Sequence, residues 1–278
     1  MTVLLLPPSE GKSAGGAGTW NPIDGVFGPH LADARREISD RLRTYSRRAS
    51  KADLAQLFGV TGTHLERAVE VARAGLSGAL ARRARERYTG VVWQHFDIAS
   101  MSADDQRWVG TNVWIVSAAL GLVAADDPVP DYRLKLSARL PKIGLVSSWW
   151  RPRLANAVAE LLARDQAIDL LPKEHANVFD PAAVAKLTTR VRLVSASGSS
   201  AAGHAAKAAK GIAARALVIR RGESCGDVLA NTPIPLFTFD SVVLDADTNA
   251  VLRSSSDSSR DTTIIRLRAT APITKGQL

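Results

Sequence analysis

One cysteine, Cys225, in 278 residues has no partner within the chain, which excludes a disulfide framework and fits a reducing compartment. Long apolar runs are missing as well. Val3–Leu6 falls far short of the roughly 20 apolar residues of a membrane span and is too short for a signal peptide. The chain therefore reads as soluble and cytoplasmic, with no membrane partner. Its five histidines (His30, His64, His95, His175, His204) are scattered and never three or four residues apart, which argues against a zinc site or direct iron ligation. No metal or cofactor is expected. There is no Gly-x-Ser-x-Gly elbow and no Gly-x-Gly-x-x-Gly after a strand, so neither the hydrolase nor the dinucleotide fingerprint is present. Acid is the scarcer charge: 27 Asp+Glu stand against 36 Lys+Arg, a net charge of +9.

That excess is concentrated. Between Arg35 and Arg87 lie thirteen basic and six acidic residues, a surplus of seven. A clustered basic field attracts polyanions without regard to sequence, and arginine forks suit phosphate. A solvated helical face in an Ala/Arg-rich protein would show the same count. Inside this region, Leu57-Phe58-Gly59-Val60-Thr61-Gly62-Thr63 leads into an apolar periodicity at Leu65, Ala68, Val69 and Ala72. The pattern predicts two short helices joined by a tight turn. Gly59 and Gly62 can take positive φ, Thr63 can cap the second helix, and its first N–H groups suit a phosphate oxygen. The segment Gly59, Val60, Thr61, Gly62, Thr63 resembles a helix-hairpin-helix element, with Arg67 one turn further on. An ordinary helix junction with a glycine C-cap gives the same spacing.

The length allows one large domain or two ordinary ones. Thr2–Leu6 reads as a buried strand stopped by Pro7-Pro8, and residues 9–29 as a long loop. Helices are expected near 31–49, 51–58, 63–86 and 103–109, the last capped by Ser102, and over Trp149–Ala163 and Gly203–Leu217. Val113–Leu122 is apolar throughout, so periodicity leaves strand or helix open. Asp126–Pro130 reads as a turn. Tyr132–Leu136, Ile168–Leu171, Arg192–Ser195 and the C-terminal stretches Leu236–Leu244, Ala250–Arg253 and Thr262–Arg268 read as strands, with a turn at Asp245–Asn249 and a polar loop at Ser254–Ser259. No internal repeat is visible. The sum is an α+β fold with a basic helical insert at 31–87 and a β segment at 236–268.

Three polar constellations stand at breaks between elements. Ser9-Glu10-Gly11-Lys12-Ser13 follows a strand, but the glycine that a phosphate loop needs five residues before Gly11 is Leu6, and two prolines remove backbone donors. A loop that brings Ser9, Glu10 and Lys12 to a polar site fits better. Tyr132–Lys135 puts Arg133 and Lys135 on one face of an extended segment, where they need an anion or carboxylates; a solvent-facing edge strand is the plainer reading. Lys207 and Lys210 share a helical face with His204, Arg215 follows, Gly211 permits a close approach, and no acid occurs between Ala201 and Arg221. An amphipathic surface helix is the alternative.

Taken together, Leu4–Lys12, Arg87–Gly90, Val116–Lys135, the Trp150 helix with Ile168–Leu171, and Lys207–Arg215 resemble the YaaA peroxide-stress protein family in order and spacing. The resemblance implies a bacterial cytoplasmic protein that limits oxidative damage to DNA. It also implies a single mixed α/β domain peculiar to the family, with a helix-hairpin-helix element and a positive cleft for duplex or branched DNA. Carried over by position, the turn is Gly59–Thr63 and the cleft cations are Lys12, Arg133, Lys207, Lys210 and Arg215. Lys207-Ala208-Ala209-Lys210-Gly211 departs from the family's Lys-Lys-Ala-Arg-Gly, which weakens a bidentate phosphate contact. Two functions follow: a DNA-binding protein without turnover, or an enzyme acting on a nucleotide or nucleic-acid base with Ser9, Glu10 and Tyr88 as candidate catalytic residues.

Overall fold

A computed structural model describes residues 2–162, 166–180, 189–194, 196–197, 203–244 and 263–270. In chain order its elements are β1 (Thr2–Leu6), α1 (Gly28–Arg48), α2 (Lys51–Phe58), α3 (Gly62–Ala74), β2 (Ala81–Arg83), α4 (Ala84–Arg87), α5 (Val91–Phe96), α6 (Ala103–Asn112), β3 (Val113–Ser117), β4 (Gly121–Ala124), β5 (Pro128–Pro130), β6 (Arg139–Leu140), β7 (Gly144–Leu145) and α7 (Val146–Trp150). They continue with α8 (Ala155–Leu162), β8 (Gln166–Asp169), α9 (Lys173–Ala176), β9 (Thr189–Val194), α10 (His204–Ile219), α11 (Cys225–Ala230), β10 (Phe237–Leu244) and β11 (Thr263–Ala269).

The central sheet has the order β10-β11-β9-β8-β1-β3-β4. Its interior pairs, β11/β9, β9/β8, β8/β1 and β1/β3, are parallel, while β10 and β4 pair antiparallel at the edges. Strands and helices mix as expected, with the parallel pairing of an α/β sheet at the centre. Parallel strands are covered on both faces, which explains why β1 and β3 are continuous apolar runs rather than alternating ones. Val3, Leu5, Leu6, Val113, Ile115 and Val116 are wholly buried. The chain leaves β1 toward β3 on one side and β8 toward β9 on the other. The carboxyl ends of β1 and β8 therefore flank a switch point, the place where open α/β sheets form a crevice.

Several expected elements change. Val113–Leu122 is a hairpin, β3 turning through Ala118–Leu120 into β4. The helix expected over 63–86 stops at Ala74, where Gly75 takes φ 92°, and β2 then pairs with β5, so part of the Asp126–Pro130 turn is strand. Tyr132–Leu136 alternates in burial as expected but forms no strand, Leu136 lying in a turn, and it joins no ladder among the described residues. The Trp149–Ala163 helix is split by a 3-10 turn at Arg151–Leu154 that holds Pro152. Ser102 caps α6 as expected, accepting from the Asp105 N–H at 3.1 Å. Strands β10 and β11 supply the C-terminal β segment; Asp245–Asn249, Ala250–Arg253 and Ser254–Ser259 lie outside the described residues. Among those residues no helix is long and apolar enough to cross a membrane, and no group of three His, Cys, Asp or Glu is placed to hold a metal ion.

Candidate functional site

The loop after β1 is built against the Arg87–Gly90 segment. Lys12 bridges Tyr88 in antiparallel fashion, the Ser13 N–H donates to the Arg87 carbonyl at 2.9 Å, and the Thr89 N–H donates to the Gly11 carbonyl at 3.2 Å. The Ser9 hydroxyl accepts from the Thr89 N–H at 3.0 Å and donates to the Gly11 carbonyl, so it is spent on the loop. Trp93 of α5 pins the Pro7 carbonyl from below. Ser9 thus ties the loop to the Thr89 segment.

Above this loop Glu10 gathers cations from distant parts of the chain. Arg133 Nη2 lies 2.9 Å from one carboxylate oxygen and Lys135 Nζ 3.3 Å from the other. Lys207 of α10 adds its field. Partial burial alone would raise the Glu10 carboxyl, but Lys135, Arg133 and Lys207 outweigh it and hold the group below the usual carboxylate range. Glu10 is therefore ionised at neutral pH and can accept a proton, not supply one.

Lys12 sits differently. Its Nζ donates to the Ser9 carbonyl at 2.9 Å and lies 4.2 Å from the Tyr132 ring centroid and 5.6 Å from that of Tyr88. Among the described residues it makes no ion pair. Burial pushes its amine down to about 7; Arg133 and Arg87 push the same way, against Asp131 and Glu10. The two phenols beneath it share a hydrogen bond of 3.0 Å, and Ser117, the last residue of β3, donates to Tyr132 at 2.8 Å. Burial first, and for Tyr88 the neighbouring phenol, raise both tyrosines, so they stay neutral. The Tyr88 hydroxyl is buried in this network, and its ring faces Lys12. Tyr132 was missing from the sequence-based candidates, although its alternation with Arg133 places it under the site.

The hairpin turn adjoins the same cluster. Gly59 closes α2 at φ 63° and Gly62 opens α3 at φ 57°, both in the left-handed region that glycine tolerates. The N-cap is Thr61, with no side-chain cap bond, so the expected Thr63 cap is replaced by an open helix start. Thr61, Gly62, Thr63 and His64 are exposed, and Val60 is half-buried. Arg133 Nε donates to the Phe58 carbonyl at 3.0 Å, and the Lys135 ammonium lies against Gly59, where a Cβ would come within 2.8 Å of it. Arg67 of α3 pairs with Asp131, next to Tyr132.

Other expected cations lie elsewhere. Arg215 donates to the Asp97 carbonyl at 2.6 Å and closes the C-terminus of α5, so it leaves the cleft set. Lys210 donates to the Leu170 carbonyl at 2.7 Å after β8, near Asp169 and Arg192, and burial lowers it to about 8. Gly211 makes room for α5, not for a ligand: a Cβ there would come within 2.3 Å of the Val92 carbonyl oxygen. The Arg35–Arg87 field is also thinner than its count. Arg35 and Arg87 are buried on backbone carbonyls, and Arg36, Arg43, Arg67 and Arg85 pair with Asp33, Asp40, Asp131 and Asp126.

The chain is similar in sequence to several known proteins. A UPF0246 protein of Streptomyces coelicolor is 30% identical over 220 residues, covering 78% of this chain and 82% of that protein. A UPF0246 protein of Corynebacterium efficiens is 30% identical over 162 residues, 58% of this chain and 62% of its own length. An uncharacterized protein of Campylobacter jejuni is 25% identical over 169 residues, 60% of this chain and 66% of its own. Residues 1–241 match the model of the family described as peroxide stress protein YaaA, and the chain belongs to that family.

Proposed function

We propose that this protein is a cytoplasmic DNA-binding member of the peroxide-stress response, gripping duplex or branched DNA by its backbone without reading sequence. The observation that carries this reading is the junction of two features. The exposed N-terminus of α3, entered through two left-handed glycines, is tied by Arg133 and Lys135 to the Glu10 cluster. Helices α2 and α3 then act as a helix-hairpin-helix, whose unpaired N–H groups take one phosphate while Arg133, Lys135 and Lys207 attract its neighbours. Fluorescence anisotropy with a labelled duplex tests it. The Gly62→Val variant has room for its side chain, yet strains the turn by about 1–2 kcal/mol. With the fold verified by circular dichroism, it is expected to bind at least tenfold more weakly than wild type. Equal binding would remove the hairpin from the interface, and no binding by wild type would remove DNA.

A second reading, an enzyme acting on a nucleotide or nucleic-acid base, is favoured by one observation. Lys12 is an amine held at the edge of neutrality beside an ionised carboxylate, a pair suited to nucleophilic and proton-transfer chemistry.

A further inference from the structure

Three facts distinguish Lys12 from the cations around it. Arg133 and Lys135 are paired with Glu10, and Arg67 with Asp131, whereas Lys12, like the more distant Lys207, pairs with no carboxylate among the described residues, and only Lys12 is enclosed by aromatic rings. Its only polar contact there is the Ser9 carbonyl, and its walls are the faces of Tyr132 and Tyr88. It stands past the end of β1, at the switch point of the sheet, in the same cluster as the glycine turn. A phosphate ligand would be served best by a permanently charged, exposed group; a buried amine that no carboxylate pairs with serves covalent chemistry with a carbonyl carbon.

In DNA the carbonyl of this kind is the ring-opened aldehyde of an abasic deoxyribose. Resting on the DNA-binding reading above, we propose that Lys12 is a nucleophile for that aldehyde and that Glu10 is the base for the elimination that follows. The Nζ lone pair forms a bond to C1′. One nitrogen proton passes to the C1′ oxygen to give the carbinolamine, a proton from solvent lets that hydroxyl leave as water, and an iminium remains. Glu10 removes a C2′ proton; that electron pair becomes the C2′–C3′ double bond, and the C3′–O bond breaks. The leaving oxygen departs with its phosphate as the new 5′-phosphate end. Water then hydrolyses the imine, freeing Lys12 and leaving an unsaturated aldehyde on the other end. No oxidant or reductant is consumed. The lowered Lys12 amine supports the first step by keeping about half the side chain neutral near pH 7, and the ionised Glu10 supports the second.

The test is reductive trapping. The full chain is incubated with a duplex carrying one abasic site in the presence of cyanoborohydride, and the covalent adduct is read on a denaturing gel and mapped by mass spectrometry. Binding of wild type to the intact duplex is measured in parallel. The expected result is an adduct on Lys12, lost to background in Lys12→Arg. Glu10→Gln is expected to keep the adduct while strand scission slows roughly a hundredfold, the scale of general-base catalysis. Intact duplex bound with no adduct, or an adduct on Lys135 or Lys207, overturns the assignment of Lys12 and leaves DNA binding standing. Scission unchanged in Glu10→Gln overturns Glu10 as the base. No binding to either duplex and no adduct overturns the DNA-binding reading together with this one.

Discussion

Arg87 lies wholly buried where α4 meets the site, and its guanidinium serves four carbonyl oxygens: Val129 at 3.1 Å, Gly15 and Leu80 at 2.9 Å, and Ser13. Ser13 and Gly15 belong to the loop that carries Lys12, so this arginine shapes the site without touching a ligand. Arg35 does the same for Pro22, Asp24, Leu120 and Leu122. Replacing Arg87 by Met would strand these oxygens away from water, and urea denaturation is expected to show a loss of about 3 kcal/mol. Arg87→Lys should recover little, because an ammonium cannot reproduce the planar fork. A change below about 0.5 kcal/mol would return Arg87 to the surface field in which its charge alone places it. At this scale the sequence supplied identities and not destinations. Glu10, Lys12, Arg133 and Lys135 stand out as polar residues at element breaks, and all four meet. Tyr88 and Ser9 were equally visible, but their hydroxyls are consumed by Tyr132, Thr89 and Gly11.

Among the elements, the helices with a clear apolar stripe were the most legible. Helix α1 buries Leu31, Arg35, Ile38, Ser39, Leu42 and Ser46, a spacing of three and four residues, and the glycine turn after α2 has the left-handed φ that Gly59 and Gly62 foretell. The helix predicted through 86 failed because, six residues beyond Gly75, Ala81 begins a strand that pairs with β5, a partner more than forty residues away. Helix α10 was legible as a helix and misread at one residue. Gly211 is the place where it crosses α5. Gly211→Ala is expected to lower stability by about 1–3 kcal/mol through overpacking against the Val92 carbonyl, measured as a drop in Tm. The displacement would move Lys207 as well, so an unchanged Tm would mean that α10 and α5 do not meet at this residue.

For the molecule as a whole, a net charge of +9 overstates the cationic surface, because arginines buried on carbonyls and arginines paired with Asp contribute little field outward. What gathers is smaller: Arg133, Lys135 and Lys207 around one carboxylate, next to the hairpin. With three such cations on phosphates, the log of the binding constant should fall with log salt at a slope of about −3, since each neutralised phosphate contributes roughly 0.9. Lys207→Ala should reduce that slope by about one. A slope near zero would sink the electrostatic mechanism, and one near −10 would mean that the wider arginine field engages after all.

The sequence by itself determined the buried apolar strand β1, the helices over α1 and α2, the glycine turn, the absence of a disulfide partner for Cys225 and membership of the YaaA family, because each depends on neighbours in the chain or on motifs in order. Only the tertiary structure decided which charges meet. Glu10 and Arg133 are separated by 123 positions, and Lys12 lies over a tyrosine from a distant segment. Burial and pairing of an ionisable group depend on what the fold brings against it, and local pattern carries no record of that.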